Sequence, residues 1–147
     1  MPKRVIELFA IDLLVAMEKI ARYHADHNNA DDFYHDEKSF DATMRELQII
    51  GEATKHLIGS KQLSKEHRII VDFRNLIVHE YFGIDAEEIW EIVHCELPKF
   101  KETVYQLLEK FDKELLLEII SDTKEDYRGD TAKFLQSLYE YIVSHKI

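Results

Sequence analysis

"DFRNLIVHEYFGID", residues Asp72–Asp85, sets Arg74, Asn75, His79 and Tyr81 into a run that is otherwise apolar. At about 100° per residue, the stretch from Ser64 onward reads as one helix. Ile69, Ile70, Phe73, Leu76 and Ile77 then share a core face. Arg74, Asn75 and His79 lie on the other side, around Val71 and Val78. Ser64 is a good N-cap, and Gly83 ends the helix.

Outward from this helix, the chain keeps the same periodicity. From Val5 to about Arg22, Leu8, Ile11, Leu14 or Val15, and Ile20 recur at helical spacing. The polar stretch "YHADHNNADDFYHDEKS" (23–39) reads as a loop. A second helix spans about Ser39 to Ile58, with Met44, Leu47, Ile50 and Leu57 on its apolar side and Gly59 as its stop. Gly51 inside it costs about 1 kcal/mol relative to Ala, which a close helix crossing would justify. Asp85, with Glu88 three residues on, forms a capping box for a further helix carrying Ile89, Trp90, Val93, Leu97, Phe100 and Val104; Pro98 kinks or divides it. Beyond Phe111, "DKELLLEIISDTKEDYRGD" extends the helical pattern into a charged loop, and "TAKFLQSLYEYIVSHKI" is another amphipathic helix. With only 4 Gly and 2 Pro, tight turns are poorly supplied. The fold expected is all-α: four main helices over residues 1–111, plus a helical extension of the same domain over 112–147.

The net charge of −10 argues against a sequence-independent nucleic-acid coat, which works through basic surfaces, but leaves room for a local basic site. The one cysteine, Cys95, excludes a disulfide framework and reads as a partly buried helix position. Charged residues interrupt "MPKRVIELFAIDLLVAMEKI", so it reads as neither signal peptide nor membrane span. No membrane contact and a cytoplasmic location are the expectation.

The polar set on the third helix has a chemistry of its own. A histidine moves protons near neutral pH. An arginine presents a fork of donors to phosphate oxygens and stabilises charge in a transition state. Asn75, four residues before His79, is its neighbour on the helix surface and could orient it or bind a ribose hydroxyl. Arg74 and His79, five apart, are separated by about 140° on an ideal helix. Either the helix is distorted, or a second copy completes the site. Val71 and Val78 at the centre of the polar side favour the two-fold dimer. These residue types suit RNA phosphodiester cleavage. The 2′-hydroxyl is an internal nucleophile, so no metal or other cofactor is called for. Weighed against this, an Arg and a His on an exposed helix face are more often simply solvated.

The element "RNLIVHEY" (Arg74–Tyr81) has the form R-x4-H-x-Y, with Asn after the Arg. It resembles the HEPN superfamily, specifically the HepT-like toxins. "FAIDLLVAMEKI", "LQIIGEATKHL" and "RNLIVHEYFGIDAEEIWEIVHCELPKFKE" resemble that family's successive helices, so the likeness covers roughly residues 5 to 111. It implies a HEPN bundle, a two-fold homodimer and a metal-independent endoribonuclease site at the dimer cleft. By position it makes Arg74 and His79 the catalytic pair and Asn75 their polar companion. Tyr81 corresponds to the residue that a cognate minimal nucleotidyltransferase antitoxin modifies with AMP, in a toxin–antitoxin pair of type VII. The RNA target would be mRNA or tRNA. "LSKEHRIIVDF" (63–73) lacks the Pro and Trp common in the family there, and the tail is longer than a minimal member's; covering apolar surface is its simplest role. The alternative is a non-catalytic HEPN module that binds a nucleotide or a protein.

The remaining candidates read as structural. His24 and His27 stand at i, i+3, compatible with a metal on a helix, but a solvated helix end explains them more simply. Asp12 and Glu52 sit among apolar residues and need partners, so structural pairing is expected. Trp90 reads as a core anchor. Glu80 could tune His79 or Tyr81 electrostatically and is given no catalytic role.

Overall fold

The computed structural model describes residues 5–72 and 85–145, and no strand occurs among them. Helix α1 (Ile6–His24) is the centre. Leu13 through Met17 are five consecutive buried residues, more than one face of a helix supplies, so it must be covered on several sides. Its neighbours are α3 (Glu37–Gly59), α6 (Leu97–Leu108), α7 (Lys113–Glu125) and α8 (Asp130–His145).

The stretch expected as a loop contains a short helix, α2 (Ala30–His35). Asn29 caps it by accepting from the Asp32 N–H at 2.9 Å. Phe33, at 0% exposure, anchors it. One apolar anchor in six residues offers no periodicity to read, and the cap was the only local signal. Asp36 closes α2 and opens α3, accepting from the Ser39 N–H and hydroxyl.

Helix α3 buries a stripe of Thr43, Glu46, Leu47, Ile50, Gly51, Ala53, Thr54 and Leu57. Its end differs from the expected glycine stop. Gly59 is still helical, and the left-handed residue is Lys61, φ 65°. The Gln62 N–H reaches the Leu57 carbonyl at 2.8 Å and the Lys61 N–H reaches Ile58 at 3.0 Å, the two bonds of a Schellman motif. A lysine there costs about 1 kcal/mol more than glycine would.

Ser64 is extended but makes no side-chain capping bond, and a 3-10 turn, Lys65–His67, precedes the helix proper. Helix α4 begins at residue 68 and is described as far as residue 72. After Asp85, α5 (Ala86–Glu91) runs without interruption through a π-turn, Ile92–Glu96, into α6. The Leu97 N–H bonds to the Ile92 carbonyl five residues back. Pro98 stands in the first turn of α6, where the π-turn gives way to it, as one of the two expected readings had it. Proline crowds the carbonyl four residues earlier, here that of His94, and the widened turn lies there.

Helices α7 and α8 form a hairpin whose turn uses Gly129 at φ +68°, a conformation glycine adopts freely. Their inner residues Leu116, Ile120, Leu135, Leu138 and Ile142 join one buried cluster with α1, α3 and α6, at about 1.5–3 kcal/mol per side chain. The tail therefore covers apolar surface, as expected. Arg22 fastens it: its guanidinium donates to Glu18 (2.7 and 3.1 Å) and to the Thr131 hydroxyl (2.9 Å).

Candidate functional site

Arg74, Asn75, His79, Glu80 and Tyr81 lie outside the described residues, as does Val78. What the structure places is the frame on either side of them. On the entry side, Leu63, Ile70 and Val71 are buried, and the His67 ring lies 5.4 Å from the Phe100 ring. Here the helical wheel needs correction. Ile69, expected in the core, is 52% exposed, whereas Val71, expected on the polar side, is 3% exposed. The chain enters α4 from a 3-10 turn, and the meeting with α3 and α6 sets which side faces inward; the apolar pattern fits two adjacent rotations about equally well. Val71 is thus engaged within its own chain and cannot centre a two-fold contact.

On the exit side, Asp85 caps α5 by accepting from the Glu87 N–H at 2.9 Å. The reciprocal bond from Glu88 that would complete a capping box does not form among the described residues.

Between α1 and α3 lies an open groove of about 760 Å³. Ile6, Phe9 and Ile49 give it apolar walls, and Asp12, Arg45, Glu52 and His56 line it with charge or polarity. The His56 ring stacks on Phe9 at 4.4 Å and 8°. With two carboxylates beside one guanidinium in its lining, it suits a phosphate less well than a protein surface. Asp12 and Glu52 are half-buried, and each engages a partner, as expected of them.

Among the described residues, the most buried carboxylate is one that sequence reading missed. Glu46 is 5% exposed, with Lys19 Nζ at 3.9 Å. Burial pushes its acid above the ordinary carboxylate range, against the pull of Lys19 and Arg45. The spacing Thr43, Glu46, Leu47, Ile50 would have found it, because it sits inside the apolar stripe.

His24 and His27 are not a solvated helix end. The His24 ring packs 4.4 Å from His94 and 6.0 Å from Trp90, and Trp90 lies 3.9 Å from His94. Burial holds the His24 imidazolium less stable than usual, and the neighbouring His94 and His27 act in the same direction. His27 Nε2 pairs with Asp36 at 3.0 Å. Trp90 anchors this cluster at the core edge. Among the described residues no three His, Cys, Asp or Glu side chains converge as metal ligands. Cys95, in the π-turn, is exposed rather than partly buried. No helix among them is long and apolar enough to cross a membrane.

Comparison with known proteins gives one family. Residues 13–107 match the family described as "Ribonuclease HepT-like". A "gamma-glutamylcyclotransferase and putative RNase" of Methanocaldococcus jannaschii is 31% identical over 111 residues, covering 74% of this chain and 50% of that protein. The chain thus matches half the length of that relative. A "putative RNase" of the same organism is 31% identical over 117 residues, 78% of this chain and 96% of the relative. A "probable ribonuclease HepT" of Thermococcus cleftensis is 36% identical over 74 residues, 48% of this chain and 67% of the relative. No solved structure gives a significant match. The family match ends inside α6, so α7 and α8 lie beyond it.

Proposed function

The chain belongs to the HepT-like ribonuclease family, and from that membership we propose that it is the toxin of a toxin–antitoxin pair, a metal-independent endoribonuclease. The observation that carries this is the R-x4-H-x-Y element, Arg74 to Tyr81, lying within the matched residues 13–107.

In the proposed reaction, the ribose 2′-oxygen attacks the adjacent phosphorus and the bond to the 5′-oxygen breaks. A 2′,3′-cyclic phosphate and a 5′-hydroxyl result. His79 moves the proton, taking it from the 2′-hydroxyl or giving one to the leaving oxygen. Arg74 stabilises the charge that gathers on the phosphoryl oxygens, and Asn75 orients the histidine or holds a ribose hydroxyl. The working form is a homodimer with the cleft between copies. Since Val71 is buried within the chain, the second copy meets another surface, and the α1–α3 groove has the mixed apolar and charged lining such a contact uses.

Control falls to a minimal nucleotidyltransferase, which transfers AMP to the Tyr81 hydroxyl. The added bulk and negative charge beside the cleft repel RNA. The test is cleavage of total RNA in EDTA by protein whose intact mass shows Tyr81 unmodified, beside His79→Ala and Arg74→Ala. Cleavage by the parent alone supports the assignment. Retained cleavage in both variants overturns the roles, and none from the unmodified parent favours a non-catalytic binding module.

A further inference from the structure

We propose that the turn leading into α4 is a cationic lip that holds the RNA backbone through Lys61, Lys65 and Arg68. This rests on the ribonuclease reading and adds to it a binding surface outside the Arg74–Tyr81 element.

The first observation is charge placement. In a chain of net charge −10, the segment from Ala53 to Val71 carries Lys55, Lys61, Lys65 and Arg68 against Glu66 alone. An acidic protein that binds a polyanion needs its cations gathered where the polymer lies. These are gathered immediately ahead of the motif. Lys61, Lys65 and Arg68 are all exposed, and none forms an ion pair among the described residues. Glu66 is turned to His67, 3.5 Å away, and pairs with neither Lys65 before it nor Arg68 after it among the described residues.

The second observation is independent of charge counting. Lys61 occupies the left-handed position of the α3 terminus, where glycine is the usual resident. A strained residue retained where a strain-free one would fold better points to a use for its side chain. Here the use is an ammonium group held out at a rigid corner: the Schellman bonds to Leu57 and Ile58 fix the backbone beneath it.

The third is the floor. Ile70 and Phe100 back a hollow beside the turn, and Lys99 from α6 lines its far side. Lys99 shares that hollow with Glu66 and Glu96, so the cations of the lip itself are the three on the turn. Leu63 is buried beneath the turn and ties it to the core. A rigid row of cations suits backbone contact without base readout.

Binding of a single-stranded RNA oligonucleotide to full-length His79→Ala protein, measured across a salt series, tests this. The comparison is the same protein carrying Lys61→Gly, Lys65→Gln and Arg68→Gln. Each phosphate contact contributes about 0.7 to the slope of log affinity against log salt for single strands. Losing three should flatten the slope by about 2 and weaken binding at low salt by at least tenfold. Glu114→Gln with Glu118→Gln, on the α7 surface, serves as the charge control and should leave slope and affinity unchanged or slightly tighter. Equal slopes for parent and triple variant overturn the lip while leaving the ribonuclease reading standing. Failure of the His79→Ala parent to bind RNA at low salt, where wild-type protein also cleaves none, overturns both. If the variant binds RNA normally but loses affinity for anionic vesicles, the surface belongs to a membrane instead and the proposal falls.

Discussion

His24 shows how one residue carries a pH response. Its folded-state pKa is depressed by burial, with His94 and His27 adding to it, while Arg22 and Glu18 on its own helix and Lys101 on α6 line the same hollow. A histidine held neutral stabilises the fold above its unfolded value of about 6.5. That contribution is lost as pH falls from there through the lower folded value. The urea midpoint should therefore drop between pH 7 and pH 5.5, and by less in His24→Gln. An equal drop in both proteins would exclude His24 as a source. Trp90, the one tryptophan, packs on His94, so its emission provides a local reading of the same titration. Lys61 gives a second prediction. Replacing it with glycine relieves about 1 kcal/mol of backbone strain and returns part of that as unfolded-chain entropy. A net gain of about 0.5 kcal/mol is expected, read as a higher denaturant midpoint with unchanged slope.

At the scale of elements, α2 depends on a single ring. Phe33 is fully buried and meets Phe40 at 5.3 Å and Trp90 at 5.8 Å. Phe33→Ala should cost about 3–4 kcal/mol, measurable by urea titration, with faster hydrogen exchange over 30–35. A cost below about 1 kcal/mol would mean that α2 is held by its cap alone. The long helices were legible because ten or more residues of 3.6-period pattern outweigh local noise. Helix α2 was not, since six residues make too short a window. The π-turn was not legible either, because nothing but Pro98 marks it. The rotation of α4 failed for a further reason: in "RIIV" (68–71) three branched apolar residues in a row fit either of two faces, and packing chose Ile70 and Val71.

For the whole molecule, the prediction concerns the tail. Since α7 and α8 put five buried apolar residues against the rest, a chain ending at residue 111 should expose that face, bind a hydrophobic dye and lose its cooperative unfolding transition. Arg22→Ala, which removes the clamp to Glu18, Thr131 and Asp130, should cost about 1–2 kcal/mol and leave the transition cooperative. A truncated chain that unfolds as sharply as the parent would make the hairpin an accessory.

Helix content and the absence of a disulfide framework followed from residue order, because periodicity and composition are properties of the chain alone. The R-x4-H-x-Y element was legible there too, but its proposed chemistry came from the family resemblance rather than from spacing. Which side of α4 is buried and how the histidines cluster around Trp90 did not follow from residue order. His24 meets His94 across 70 positions of sequence. Burial and ring packing arise between elements, and their free energies exist only once those elements have met.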